Sequence, residues 1–290
     1  MLKYPSIENS YREKFIQIIR ETDSAKDEWW AWSKIHGSNF FIWYNGLELK
    51  YGKRSGFIPD DENFYNHLEV MPKYAECVKD LYHSVLNLDG QELTVYGEIF
   101  GQGVQKGINY GPRQFRFFDV SIDDKFVDQD RLFDFELRDL RVVPFIWKGS
   151  FEEALNLNCE YDSKILGIPN NTEEGLVLKP NKTAFLEQTG TRIILKKKSE
   201  KFKEKDEKPK KLQSEQQELP TLLVGHMTEN RVQAAISKFG PDFKNFSQIK
   251  NEFIRDVIEE AQKDCGQKFD PKMLEKKASE MVRNSLKVLV

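Results

Sequence analysis

The sequence is poor in cysteine, has no long apolar run and has no strong charge imbalance, and each shortage removes a class of protein. Three cysteines, Cys77, Cys159 and Cys265, stand far apart among 290 residues. An odd, scattered set gives neither a disulfide framework nor the close pairs of a zinc cluster, so all three read as reduced thiols. No apolar run approaches the length of a membrane span, and the opening "MLKYPSIENSYREK" lacks the apolar segment of a secretory signal. The expected compartment is the cytoplasm, or a host cell's cytoplasm or nucleus for a viral chain. The formal net charge is −3, too small and of the wrong sign for coating nucleic acid by bulk electrostatics. Neither GxGxxG nor GxxxxGK(S/T) occurs, which argues against a Rossmann or P-loop nucleotide site.

What is present points to strands. Aromatic residues make up 12% of the chain, more than a plain helical bundle needs. Ile7, Tyr11, Phe15, Ile18 and Ile19 recur at helical spacing and predict an opening amphipathic helix packed on a sheet. "WWAWS", "NFFIWY" and "LELKYG" then read as short antiparallel strands, the last two joined by Asn45-Gly46, a pair that favours a type I′ turn. Lys34 falls in the loop between two of them. A helical stretch is expected from about Asp61 to Leu88 with a break at Pro72. Strands resume in "ELTVYGEIFG", "FRFFDVSI", "RVVPFIW", "GLVLKP" and "RIILKKK", with short helices between. The class is α+β, a mostly antiparallel sheet system with inserted helices.

Composition changes near residue 200. Between Lys182 and Lys211 basic residues outnumber acidic ones, and Ser199 to Glu218 is nearly all charged or amide, as in a solvated helix face running into a linker. Beyond it, three apolar stripes return at helical spacing: Val232, Ile236 and Phe239; Phe253, Val257, Ile258 and Ala261; and Leu274, Ala278, Met281 and Val282 behind the Asp270-Pro271 start signal. The expected organisation is a first domain over 1–205, a charged linker over 206–219 and a small all-helical domain over 220–290.

One ordered series of polar groups runs through the β region: "KIHGSNF" at 34–40, "KRSG" at 53–56, "VYGEIFG" at 95–101, "FRFFDV" at 115–120, "EEGLVLKP" at 173–180 and "ILKKKS" at 194–199. Each lies in a strand or at a strand end and supplies a cation, a carboxylate or an aromatic ring. The series resembles the covalent nucleotidyltransferase superfamily of polynucleotide ligases and capping enzymes. Its KxHG form and spacing are similar to the RNA ligase 2 family. The resemblance covers roughly the first two-thirds of the chain, and six ordered matches are far more specific than any one of them. Ser33 stands where family members often carry Glu, and the helical C-terminal region is short for the family.

The resemblance implies an ATP-dependent RNA ligase with a nucleotidyltransferase domain. Lys34 would attack the α-phosphate of ATP, which requires a neutral amine and hence a nearby cation or a dry pocket. Lys196 and Lys198 would contact that phosphate, and Glu174 would hold Mg2+ or Mn2+. Glu98 would bind the ribose, Arg54 the ribose or the RNA end, and Phe118 would stack on adenine, while His36 and Asn39 would shape adenylate transfer. The partner would be RNA with 3′-OH and 5′-phosphate ends, held as a nick in duplex RNA or an RNA/DNA hybrid, with Lys182, Arg192 and Lys197 on its backbone. A monomer served by an end-healing enzyme is expected, with no membrane partner. A small DNA ligase, a capping guanylyltransferase and a non-catalytic RNA-binding module are the alternatives.

Overall fold

The computed structural model describes residues 3–85, 88, 91–203 and 221–289. The chain forms two compact units, Met1–Lys201 and Phe202–Val290. The expected charged linker, 206–219, lies outside the described residues.

In the first unit the strands are β1 (Glu8–Asn9), β2 (Trp29–Lys34), β3 (Ser38–Tyr44), β4 (Leu49–Lys53), β5 (Gly56–Phe57), β6 (Leu93–Phe100), β7 (Gln114–Ile122), β8 (Lys125–Phe126), β9 (Phe145–Gly149), β10 (Gly175–Pro180) and β11 (Leu195–Lys198). They make two sheets, ordered β1-β11-β10-β2-β9 and β5-β4-β3-β6-β7-β8. The short β1 runs parallel to β11, and the other pairings are antiparallel. The helices are α1 (Glu13–Arg20), α2 (His67–Val70), α3 (Pro72–Asp80) and α4 (Phe151–Asn156). The α+β reading, with helices inserted in a mostly antiparallel system, is borne out.

The aromatic strands are apolar on both faces because both faces are buried. From β2, Trp29 and Ala31 pack with Ile16, Ile19 and Phe151, while Trp30 and Trp32 point the other way and stack at 5.8 Å beside Phe145. From β3, Phe40 and Ile42 join a core with Tyr74 and Val78 of α3, and Phe41 and Trp43 join Tyr4, Tyr96 and Ile194. Residues of both sheets thus share one apolar cluster, which fixes the two sheets against each other.

Four local expectations are corrected. The opening helix spans only Glu13–Arg20 and buries Ile16 and Ile19, while Tyr11 and Ile18 are exposed; pairing of Glu8 and Asn9 with β11 takes the preceding residues out of the helix. Asn45-Gly46 lies in a four-residue loop rather than a two-residue turn, because Asn45 Oδ1 accepts the Leu47 and Glu48 N–H groups at 3.0 and 2.8 Å. The stretch after Asp61 turns helical only at His67; the break falls at Pro72 as expected, that residue being the first of α3, where its missing N–H costs nothing, and a π-helical turn, Leu81–Val85, follows. Lys34 is the last residue of β2, not a loop residue.

The second unit holds α5 (Thr221–His226), α6 (Glu229–Phe239), α7 (Phe246–Cys265) and α8 (Glu275–Leu289). Val232 and Ile236 of α6, Phe253 and Val257 of α7, and Ala278 and Val282 of α8 meet in its core. Asp270 caps the 3-10 turn Pro271–Leu274 that leads into α8, accepting the Lys272 N–H. Among the described residues, no helix is long and apolar enough to cross a membrane.

Candidate active site

Strand β10 lies between β2 and β11, and its register sets Gly175 opposite Lys34 on one side and Lys198 on the other. Residues directly opposite share a face of the sheet, so the two lysines flank a position with no side chain. Only glycine fits there: its φ is 146° and a Cβ would lie 2.0 Å from the Lys197 carbonyl oxygen. Glu174, just before it, is 3% exposed. Its Oε1 takes ion pairs from Lys34 Nζ at 3.0 Å and Lys198 Nζ at 2.8 Å, and its Oε2 faces His36 Nδ1 at 3.3 Å. Burial alone would raise the Glu174 carboxyl, but Lys198 and Lys34, helped by His36, hold it well below the usual range. An ionised carboxylate only accepts, so His36 places a hydrogen on Nδ1.

The opposite wall comes from β3 and β6. Gly37, just before β3, approaches so closely that a Cβ would meet the Ile99 carbonyl at 2.4 Å. Its N–H bonds Glu98, which pairs across the ladder with Asn39. Burial pushes the half-buried Glu98 carboxyl up to about 8, with Glu174 adding and Lys34 and Arg54 opposing. The Asn39 Oδ1 is buried without a hydrogen-bond partner, an acceptor available to a ligand. Arg54 lies within electrostatic range of Glu98 and bonds the opening segment, at 3.3 Å to Ser6 Oγ and 3.5 Å to the Pro5 carbonyl.

Lys34, His36, Glu174 and Lys198 therefore meet at one point, with Glu98 near them. Lys196 shares the face of Lys198, opposite Val177. Phe118 packs its ring at 4.9 Å from Tyr4, beneath the Lys179 ammonium at 5.7 Å, while Phe115 and Phe117 are plain core. The expected backbone-contact role of Arg192 and Lys197 is corrected. Arg192 is 2% exposed and forks onto both oxygens of Asp119, at 2.8 and 3.1 Å. Lys197 turns to the opposite face of β11 and donates to the Leu155 carbonyl at 2.7 Å. Lys182 remains exposed.

Two buried carboxylates of the motif series, Asp119 in "FRFFDV" and Glu173 in "EEGLVLKP", were given no role by the sequence. Asp119 gathers Arg192, Lys179 at 2.8 Å and the Tyr4 hydroxyl at 2.6 Å, tying β7 of one sheet to β10 of the other. Burial acts against the ionised Asp119, but Arg192 and Lys179 hold its carboxyl below the usual range. Glu173 is fully buried on the outer side of the site. It accepts from Ser33 Oγ at 3.0 Å, from the Tyr110 hydroxyl and from the Glu174 N–H at 3.2 Å. Ser33 thus points away from the face that carries Lys34. The "EE" doublet was the available clue: successive residues at a strand entry face opposite ways, so the two carboxylates have separate surroundings, and both are buried.

Comparison with known proteins places the chain in a family. Residues 27–198 match the family model described as RNA ligase, and residues 210–289 match that described as T4 RNA ligase 2 C-terminal. Mitochondrial RNA-editing ligase 2 of Trypanosoma brucei brucei is 31% identical over 104 residues, 34% of this chain and 25% of that protein. RNA-editing ligase 1 of the same organism is 28% identical over 97 residues, 31% of this chain and 21% of that protein. The chain thus spans about a quarter of the curated relatives it matches. A mutant of Naegleria gruberi RNA ligase, solved without ligand, superposes with a TM-score of 0.51 at 17% identity, covering 70% of this chain and 56% of that one. Another mutant of that ligase, solved with ATP and Mn, gives a TM-score of 0.50 at 17% identity, covering 70% of this chain and 57% of that one. With the first family model covering more than half of its length, the chain belongs to the RNA ligase family.

Proposed function

We propose that this chain is an ATP-dependent RNA ligase that joins a 3′-OH to a 5′-phosphate through a covalent lysyl-AMP on Lys34. The observation that carries the reading is the convergence of Lys34, Lys198 and His36 on the buried Glu174 carboxylate in a chain of this family. In the first step the Lys34 amine attacks the α-phosphorus of ATP. An N–P bond forms, the P–O bond to pyrophosphate breaks, and the amine gives up its proton. In the second, a 5′-phosphate oxygen of RNA attacks that phosphorus, the N–P bond breaks and Lys34 regains a proton. In the third, the 3′-OH attacks the activated 5′-phosphate, loses its proton and releases AMP.

Such transfers depend mainly on cations set around the phosphate oxygens. Lys198 and Lys196, on one face of β11, suit that task for the α-phosphate. The donor set fits a divalent cation brought in with the nucleotide. Glu174 offers one carboxylate, and among the described residues no cluster of three or more metal-binding side chains forms a protein cage. Phosphate oxygens would complete the shell, the usual arrangement for Mg2+, and Mn2+ has the same preference. When bound, the ion supplies positive charge against the phosphates. Glu98 and Arg54 serve the ribose, Asn39 offers its unpaired oxygen to the nucleotide, and Phe118 stacks on adenine.

The substrate is a nick held in duplex RNA or an RNA/DNA hybrid, sealed by a monomer after an end-healing enzyme prepares the termini. The test is sealing, with ATP and magnesium, of two nicked duplexes that differ only in the last two sugars on the 3′-OH side. Sealing of the ribose nick alone supports the reading. Equal sealing of both makes the chain a DNA ligase, and absence of any covalent AMP adduct makes it a binding module.

A further inference from the structure

Behind the reacting groups, one buried carboxylate is bonded to both halves of the site. Glu173 Oε2 accepts the hydroxyl of Ser33, the residue before Lys34, at 3.0 Å. Glu173 Oε1 accepts the Tyr110 hydroxyl and the N–H of Glu174. The Tyr110 oxygen in turn accepts the backbone N–H of His36 at 2.9 Å. A single path of hydrogen bonds therefore runs from the loop 35–37 through Tyr110 to the backbone of Glu174. Tyr161 braces the same point, donating to the Gly175 carbonyl at 2.8 Å and lying 3.2 Å from Ser33 Oγ.

The loop that delivers Tyr110 is itself anchored to the strand entry that delivers Glu173. Asn109 and Asn171 bond reciprocally, the Asn109 N–H to Asn171 Oδ1 at 2.8 Å and Asn171 Nδ2 to the Asn109 carbonyl at 2.7 Å. The Glu173 N–H is held by the Tyr161 carbonyl at 2.9 Å. Tyr110 is 3% exposed and Glu173 fully buried, so neither is available to touch a nucleotide. A buried, fully bonded network of this kind fixes geometry more than it adds energy.

We propose that Tyr110 and Glu173 are positioning residues that set the Lys34–His36 segment against Glu174, so that the reacting amine meets the α-phosphate in line. The effect on rate rests on the ligase reading, whereas the hydrogen-bonded tie does not. Displacing a reacting group by about an ångström costs on the order of 100-fold in rate without changing how tightly the rest of the substrate binds.

Tyr110→Phe keeps the ring and removes only the hydroxyl, and two measurements on the full chain read its effect. Lysyl-AMP formation from labelled ATP with magnesium should slow about 10- to 100-fold at saturation, with KM for ATP changed less than about threefold. Exchange of the His36 amide with solvent, followed without nucleotide, should quicken at least about tenfold. Glu173→Gln should slow lysyl-AMP formation too, and the double variant should be little worse than the poorer single one, because both break one path. Unchanged His36 exchange in Tyr110→Phe overturns the tie. Quickened exchange with an unchanged rate, or a KM that rises as far as the rate falls, overturns the positioning role. If the parent chain forms no adduct yet exchange quickens in the variant, the ligase reading falls and the tie stands.

Discussion

Lys34 and Lys198, two strands apart, stand on either side of Gly175 and reach the same carboxylate oxygen, Glu174 Oε1, at 3.0 and 2.8 Å. Two like charges brought this close repel, by about 4 kcal/mol for a separation of about 4 Å at an effective dielectric of about 20. Glu174 offsets that repulsion; in the proposed reaction a phosphate would take over from the carboxylate once the Lys34 amine has lost its proton.

Removing either end of this arrangement should therefore stop chemistry before folding. Lys34→Ala should form no covalent AMP, and survival of the label in that variant would refute the nucleophile assignment. Glu174→Gln keeps the shape but loses the charge, and its rate of adduct formation should fall about 100-fold or more. The far-ultraviolet circular dichroism of both should match the parent.

Gly175→Ala should fail differently. A Cβ there meets backbone 2.0 Å away at a φ of 146°, so β10 must shift relative to β11. The expected outcome is a loss of several degrees in Tm together with loss of activity. A variant with parental Tm would mean that the register at Gly175 is not what keeps the two lysines apart.

Asp119 makes the stability of the first unit depend on acid. Its carboxyl is held below the ordinary range by Arg192 and Lys179 against the opposing effect of burial. A group depressed in the folded state stabilises above its unfolded value, and that contribution is lost as pH falls toward the folded value. Asp119→Asn should cost about 3–5 kcal/mol at pH 7, leaving Arg192 and Lys179 unpaired, and the deficit should narrow below about pH 4. Denaturant melts at the two pH values measure both. Arg192→Ala should lower stability in the same way and leave the salt dependence of RNA binding unchanged.

Glu98 works in the opposite direction. Burial raises its carboxyl to about 8 in the folded chain, so its contribution is full below the ordinary glutamate range and is lost as pH rises through about 8. Glu98→Gln, which stays neutral, should gain Tm relative to the parent at pH 9 and show little difference at pH 5. An equal effect at both values would place Glu98 in solvent.

The lysines, the Glu174 carboxylate and both glycines were legible through the order of the motifs and the family resemblance it carries, and strand register then turns that order into position. Lys34, Gly175 and Lys198 fall in one row only because β10 pairs antiparallel with both neighbours. Arg192 was misjudged because a basic stretch says nothing about which face each residue takes, and β7 had placed a buried Asp119 opposite it. Tyr110 lay in a glycine-rich loop without periodicity, so its direction could not be read. The Asn45 loop shows the same limit: a side-chain oxygen accepting two N–H groups outweighed the turn preference of the dipeptide.

The order of strands in the five-stranded sheet also dictates how the site could be divided. Residues 166–170 form an exposed turn between the chain segment that carries Lys34, His36 and Tyr110 and the one that carries Glu173, Glu174 and Lys198. A chain cut there would yield two fragments, one holding the nucleophile and the other the carboxylate and the second cation, neither able to assemble the charge cluster alone. Because β2 and β11 meet only through β10, the fragments could regain the cluster only by complementation, so lysyl-AMP formation, if the proposed function holds, would report the reassembly of the chain.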